Sequence, residues 1–183
     1  LDGAVELALS PDGRFLYVTS VGDDAVQIFS RNPADGFITP VEAVAVGDGP
    51  YHVHVSNDEE GARLVVALWT GDAIKVFSRD RLTGKLTPLA GQAALAPDGP
   101  VYLVSTPDDR FVYAALYDGA GVQQLQSVRL APVLENLSPA SVTVGGGDFV
   151  LTVNGAQFYA DSKVLWNGAP LTTSFLNARQ LRA

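Results

Sequence analysis

The 183 residues include no cysteine and no methionine, and only 17% of them are charged. Without thiols the chain has no disulfide, no thiolate metal site and no cysteine nucleophile. With no methionine even at position 1, Leu1 is not a translation start, and the chain is expected to be processed or part of a longer one. Basic residues are scarce too: 12 Lys+Arg stand against 20 Asp+Glu, giving a net charge of −8. A chain this acidic has no general attraction to phosphate backbones or anionic lipid, so nucleic acid is not the expected partner. Long apolar runs are also missing. The longest uncharged stretch, Val164 to Ala178, has 15 residues and contains Asn167-Gly168 and Pro170, whereas a spanning helix needs about 20 apolar residues. No basic segment leads into an apolar run at the start, so any export signal would already have been removed.

What the chain does have is apolar residues at 47%, enough for a packed core, and an internal repeat. Pro11-Asp-Gly-Arg-Phe-Leu-Tyr17 returns as Pro107-Asp-Asp-Arg-Phe-Val-Tyr113, an offset of 96. Ala25-Val-Gln-Ile-Phe-Ser-Arg31 returns as Ala73-Ile-Lys-Val-Phe-Ser-Arg79, an offset of 48. One offset is twice the other, so three units share one period, with Ser56 to Leu64 as the middle copy of the turn. Within a unit, short apolar runs alternate with turn signals such as Pro11-Asp12-Gly13, where proline presets φ and glycine accepts φ > 0. No long 3.6-residue periodicity interrupts them. A four-stranded unit of 40–50 residues is the signature of a β-propeller blade.

Ser10 to Thr19, followed by Ala25 to Ser30, resembles the repeat of the lactonase-type seven-bladed propeller family, which includes the 6-phosphogluconolactonases and surface-layer proteins with YVTN-type repeats. Tyr17-Val18-Thr19-Ser20 is one residue from that tetrapeptide, and Gly49-Pro50-Tyr51-His52 is similar to the Gly-Pro-x-His that opens blades there. The resemblance covers residues 3–128 and implies about three blades, because the third unit, Val101 to Ser127, shows no obvious fourth strand. Closed propellers have four to eight. Either the chain belongs to a larger propeller or another copy completes it.

After Pro132 the pattern changes. Ser141 to Val144, Phe149 to Asn154 and Lys163 to Trp166 read as strands separated by Gly145-Gly146-Gly147, Gly155 and the hairpin signal Asn167-Gly168. This region resembles the IPT/TIG family, which implies an immunoglobulin-like sandwich, here short of its final strands. The expected fold is therefore all-β, with propeller blades over 1–128 and an incomplete IPT/TIG domain over 129–183.

Candidate chemistry is sparse. The two histidines, His52 and His54, share one face of a strand, and under the lactonase resemblance one of them serves as general base toward water. Asp23-Asp24, Asp58-Glu59-Glu60 and Asp108-Asp109 could supply oxygen ligands for Ca²⁺ but read better as solvated turns. Arg14, Arg63 and Arg110 recur in equivalent places and read as structural, each pairing with the Asp of the preceding turn. Trp69 and Trp166 read as packing residues. No phosphate loop, zinc motif, dinucleotide fingerprint or Gly-x-Ser-x-Gly is present, so no cofactor and no metal is expected. The function expected on this basis is an exported, cell-surface or extracellular scaffold of bacterial type without catalysis. It would bind protein partners, carbohydrate or copies of itself through open strand edges. The alternative is a lactonase-type hydrolase of a sugar lactone using His52 and His54.

Overall fold

Turn chemistry sets the fold. Ser10, Ser56 and Thr106, equivalent in the repeat, each accept a backbone N–H across the first turn of their unit through the side-chain hydroxyl, from Phe15, Arg63 and Phe111. That bond bends the chain back on itself and starts the second strand. In the computed structural model the described residues are 1–56, 62–89, 94–96, 98–107, 109, 111–119, 121–126, 132–143 and 145–183. The turn residues Asp58, Glu59, Glu60, Asp108 and Arg110 lie outside them. The described residues form no helix.

Two compact units result, Leu1–Arg129 and Leu130–Ala183. In the first, β1 (Ala4–Leu9), β2 (Phe15–Ser20), β3 (Ala25–Arg31) and β4 (Ile38–Ala45) pair in order as an antiparallel sheet. The second sheet runs β5 (Pro50–Val55), β6 (Arg63–Leu68), β7 (Ala73–Arg79) and β8 (Leu86–Pro88), and β9 (Ala94–Leu95) also pairs with β7. The fourth strand of this blade is thus divided between β8 and β9, both on β7. The third sheet has β10 (Pro100–Ser105), β11 (Phe111–Leu116) and β12 (Gly121–Gln126) among the described residues.

The sheets stack face to face. Every residue of β6 is buried, because the strand is covered on both sides. Leu64, Val66 and Leu68 meet Phe15, Tyr17 and Val26 of the first sheet. Val65 and Ala67 meet Leu103, Val112 and Ala114 of the third. Strand alternation makes one strand serve two cores. The first strands lie side by side, β1 against β5 and β5 against β10, as blades arranged about an axis require.

In the second unit, β13 (Val133–Ser138), β14 (Thr152–Ala156), β18 (Gln180–Arg182) and β17 (Ser174–Asn177) pair antiparallel in that spatial order, beside the short hairpin of β15 (Leu165–Trp166) and β16 (Ala169–Pro170). Asn167 (φ 49°) and Gly168 (φ 83°) make the hairpin turn that their sequence signals. The core is small: Leu151, Val153, Phe158 and Leu181. Residues 141–143 are not a strand, and backbone pairing starts at Leu151, which exchanges bonds with Ala183, rather than at Phe149. The alternation of Phe149 to Asn154 marks burial, since Leu151 and Val153 face the core, but pairing with β13 begins only where Ser138 meets Thr152.

Candidate functional site at one end of the blades

The loops entering each first strand and leaving each second strand lie at the same end of the first unit, tied together by backbone bonds. Trp69 N–H donates to the Gly49 carbonyl at 2.8 Å and Tyr117 N–H to that of Gly99 at 2.9 Å. Asp24 (φ 51°) and Asp72 (φ 45°), 48 residues apart, each adopt the left-handed region. Their Oδ1 atoms accept the N–H of the glycine that opens the next blade, Gly49 at 2.9 Å and Gly99 at 3.0 Å. The pair expected as a solvated acidic turn is thus engaged. Asp24 fastens blade to blade, and Asp23 accepts from Ser20 Oγ at 2.6 Å and from the Asp2 N–H at 3.1 Å. Among the described residues no three His, Cys, Asp or Glu side chains converge as metal ligands.

At this end three aromatic rings form a row. Tyr51 and Trp69 meet edge to face at 5.7 Å, and Trp69 and Tyr117 do so at 5.6 Å, which carries the row from the second blade onto the third. Gly99 lets the backbone pass beneath: a Cβ there would stand 2.6 Å from Trp69 Cδ1 and 2.8 Å from an Asp118 carboxylate oxygen. Half-exposed rings beside carboxylates can hold a polyhydroxylated ring by stacking and by accepting its hydroxyl hydrogens. The sequence alone marks Trp69 as a packing residue and passes over Tyr51 and Tyr117. The row exists only because strand ends some 50 residues apart are brought together.

Both histidines lie on β5, on the side that faces the third blade. His52 is only 6% exposed and contacts the Tyr102 ring at 4.3 Å. Its Nδ1 has no hydrogen-bond partner among the described residues. Burial holds its pKa down at about 4, and neighbouring His54 pushes the same way. His54 is also held below the ordinary value, chiefly by burial, with Asp109 pulling it up and Arg63 pushing it down. Its Nε2 lies 2.9 Å from Ser105 Oγ, and that hydroxyl donates to Asp109 Oδ1 at 2.6 Å. Asp109 in turn pairs with Arg63 at 3.7 Å.

Serine, histidine and aspartate thus come together without forming an activated nucleophile. The serine has one hydrogen and gives it to the carboxylate, so its oxygen must accept from His54 Nε2–H. The imidazole is then a donor to Ser105 and cannot take its proton as a general base must. The network is a buried tie between the second and third blades. Arg63 takes a carboxylate of the following blade, Asp109, as an ion-pair partner, and the acidic residues of the turn before it, Asp58 to Glu60, lie outside the described residues. Arg14 stays with its own turn: its N–H donates to Asp12 Oδ1 at 3.1 Å and its guanidinium lies 5.7 Å from the Phe15 ring centre.

Three antiparallel sheets stacked through shared second strands, with loops gathered at one end, define an arc of a β-propeller. The family described as lactonase, 7-bladed beta-propeller, matches residues 2–97, and the chain belongs to it. Solved structures agree on the fold. A candidate 6-phosphogluconolactonase of Bacteroides fragilis superimposes with a TM-score of 0.62 at 22% identity, over 68% of this chain and 35% of that one. One from Bacteroides uniformis gives 0.62 and 22% over 68% and 36%. The hydrazine synthase of Kuenenia stuttgartiensis gives 0.54 and 21% over 83% and 43%. The chain spans about a third of the length of the first two. No curated protein matches.

The family match overturns the expected exported scaffold without catalysis. That expectation rests on the lack of catalytic motifs and on open strand edges. The match, however, spans residues 2–97, well beyond the single turn at Pro11 to Tyr17.

Proposed function

We propose that the polypeptide acts as a lactone hydrolase on a sugar lactone. The observation that carries this reading is the lactonase-family match over the residues that build the first two blades. The row Tyr51, Trp69 and Tyr117 supplies a stacking surface for the sugar ring, and the carboxylate of Asp118 beside it accepts sugar hydroxyls. His52 is the proposed proton acceptor for the attacking water. Its Nδ1 is unengaged among the described residues, and a pKa near 4 keeps the ring unprotonated at neutral pH, at some cost in basicity. His54 is the positioning residue, since its Nε2 proton is committed to Ser105. The second fold element proposed is an IPT/TIG-like domain over 129–183, a reading supported by the antiparallel sheet of β13, β14, β18 and β17.

The test is turnover of a sugar δ-lactone, read as acid release at constant pH. Loss of a general base lowers kcat/KM by about 100-fold or more, so His52→Gln should do this, with activity in the parent falling away as the pH drops through about 4. Trp69→Ala should act mainly on KM. Turnover unchanged in both variants would overturn the reading.

A further inference from the structure

A tryptophan carries one hydrogen-bond donor, at the edge of its indole, and stacking on the ring face does not use it. The aromatic row therefore leaves Trp69 Nε1–H unaccounted for. Among the described residues this N–H has no hydrogen-bond partner, and neither has the exposed carboxylate of Asp118. The two come from different blades, Trp69 just after β6 and Asp118 just after β11. They meet over Gly99 (φ 63°), where the position of a Cβ lies 2.9 Å from Trp69 Nε1 and 2.8 Å from Asp118 Oδ2. Only a residue without a Cβ lets indole and carboxylate close over the backbone from both sides.

The preceding joint shows that the fold does not call for this pair. Asp24 fastens Gly49 there as Asp72 fastens Gly99 here, through the same bond to the glycine N–H. Gly49 (φ 61°) is again crowded, since a Cβ on it would collide with Thr70 Oγ1. Yet the residues 48 before Trp69 and Asp118 are Val21 and Thr70, which supply neither an indole donor nor a carboxylate. One joint holds with an apolar side chain and a hydroxyl, whereas the other sets a donor and an acceptor close together and bonds neither to the other.

A donor and an acceptor that face one place without bonding each other are satisfied by a single group able to accept from the first and donate to the second. A hydroxyl does both through one oxygen. On the lactone-hydrolase reading of the aromatic row, on which this step rests, we propose that Trp69 Nε1–H and the Asp118 carboxylate read one free hydroxyl of the bound sugar lactone. The substrate is then a lactone that is neither deoxygenated nor phosphorylated at that hydroxyl. A hydrogen in its place leaves both protein groups unpaired. A phosphate ester brings a second negative charge against Asp118.

The test is calorimetric binding of D-glucono-δ-lactam, a hydrolysis-resistant stand-in for the lactone, and of each of its monodeoxy forms. Removing one particular hydroxyl should weaken binding by about tenfold, the value of a hydrogen bond to a charged group. Against the full lactam, Asp118→Ala should cost about tenfold, and Trp69→Phe, which keeps an aromatic face and removes the N–H, about fivefold. Against the one sensitive deoxy form, each variant should cost less than about twofold, because the contact is already gone. The phosphate ester of the same hydroxyl should bind more weakly still, and Asp118→Ala should improve it. Losses that simply add, with no hydroxyl coupled to either residue, overturn the proposal, as does a parent without affinity for the lactam. Coupled binding without turnover of the lactone would keep the hydroxyl contact and remove the hydrolase reading. Turnover without coupling would do the reverse.

Discussion

Tyr17 shows how much of the fold one side chain can organise. It is fully buried, accepts from Arg79 and donates to the Gly84 carbonyl, and burial raises its pKa to about 12, so it keeps the proton it donates. Tyr17→Ala should cost about 3–5 kcal/mol, as large aromatic core deletions do, while Tyr113→Ala at the half-buried equivalent position should cost less than half of that. Urea titrations of the two variants compare them directly, and equal costs would contradict the burial difference. His52 makes a prediction about pH. Its folded pKa, about 4, lies below the ordinary 6.5, so between those values the unfolded chain binds a proton that the folded chain refuses. Stability is then fully present above about 6.5 and declines as the pH falls toward 4, by on the order of 3 kcal/mol in total. His52→Leu should flatten that decline in melts taken between pH 7 and pH 4.

At the scale of elements, the glycines at equivalent turns test the packing. Gly84→Ala should destabilise by about 2–4 kcal/mol, combining a left-handed backbone with a collision against Phe15, whereas Gly36→Ala should cost only the backbone share, about 1 kcal/mol. Thermal melts separate the two, and identical losses would mean that Phe15 can move aside. The elements of the first unit are largely legible in the sequence, because Pro11-Asp12-Gly13, the 48-residue offset and strand alternation all point the same way. Strands fall where these signals place them, from Phe15–Ser20 to Phe111–Leu116. The second unit is less legible: the alternation of Phe149 to Asn154 reports which side chains are buried but not where pairing begins. The candidate site is legible only in part. His52 and His54 stand out as the only histidines, but Ser105 reaches His54 and Tyr117 reaches Trp69 from the next blade, and Tyr51 reaches Trp69 from the neighbouring strand, contacts no local spacing encodes.

Across the whole first unit, blades adhere by a few buried polar ties set within apolar stacking. The Arg63–Asp109 pair, with Ser105 and His54 behind it, is the tie between the second and third. Asp109→Ala leaves Arg63 buried without this carboxylate and should cost about 3–5 kcal/mol. The loss should also be directional. Amide hydrogen exchange should accelerate across β10 and β11 while β2 and β3 keep their protection, because the first interface does not use this pair. Uniform acceleration would show instead that the blades unfold as one. The Asp24 to Gly49 and Asp72 to Gly99 bonds reach forward along the chain, whereas the Arg79 to Tyr17 bond reaches back. A copied segment of 48 residues therefore brings a forward hook and a backward hook at the spacing its neighbours already use, wherever the copy starts. Growth by whole-unit duplication keeps every joint mated, whereas gain or loss of a few residues between joints unmates them, so such an array evolves most easily in whole blades.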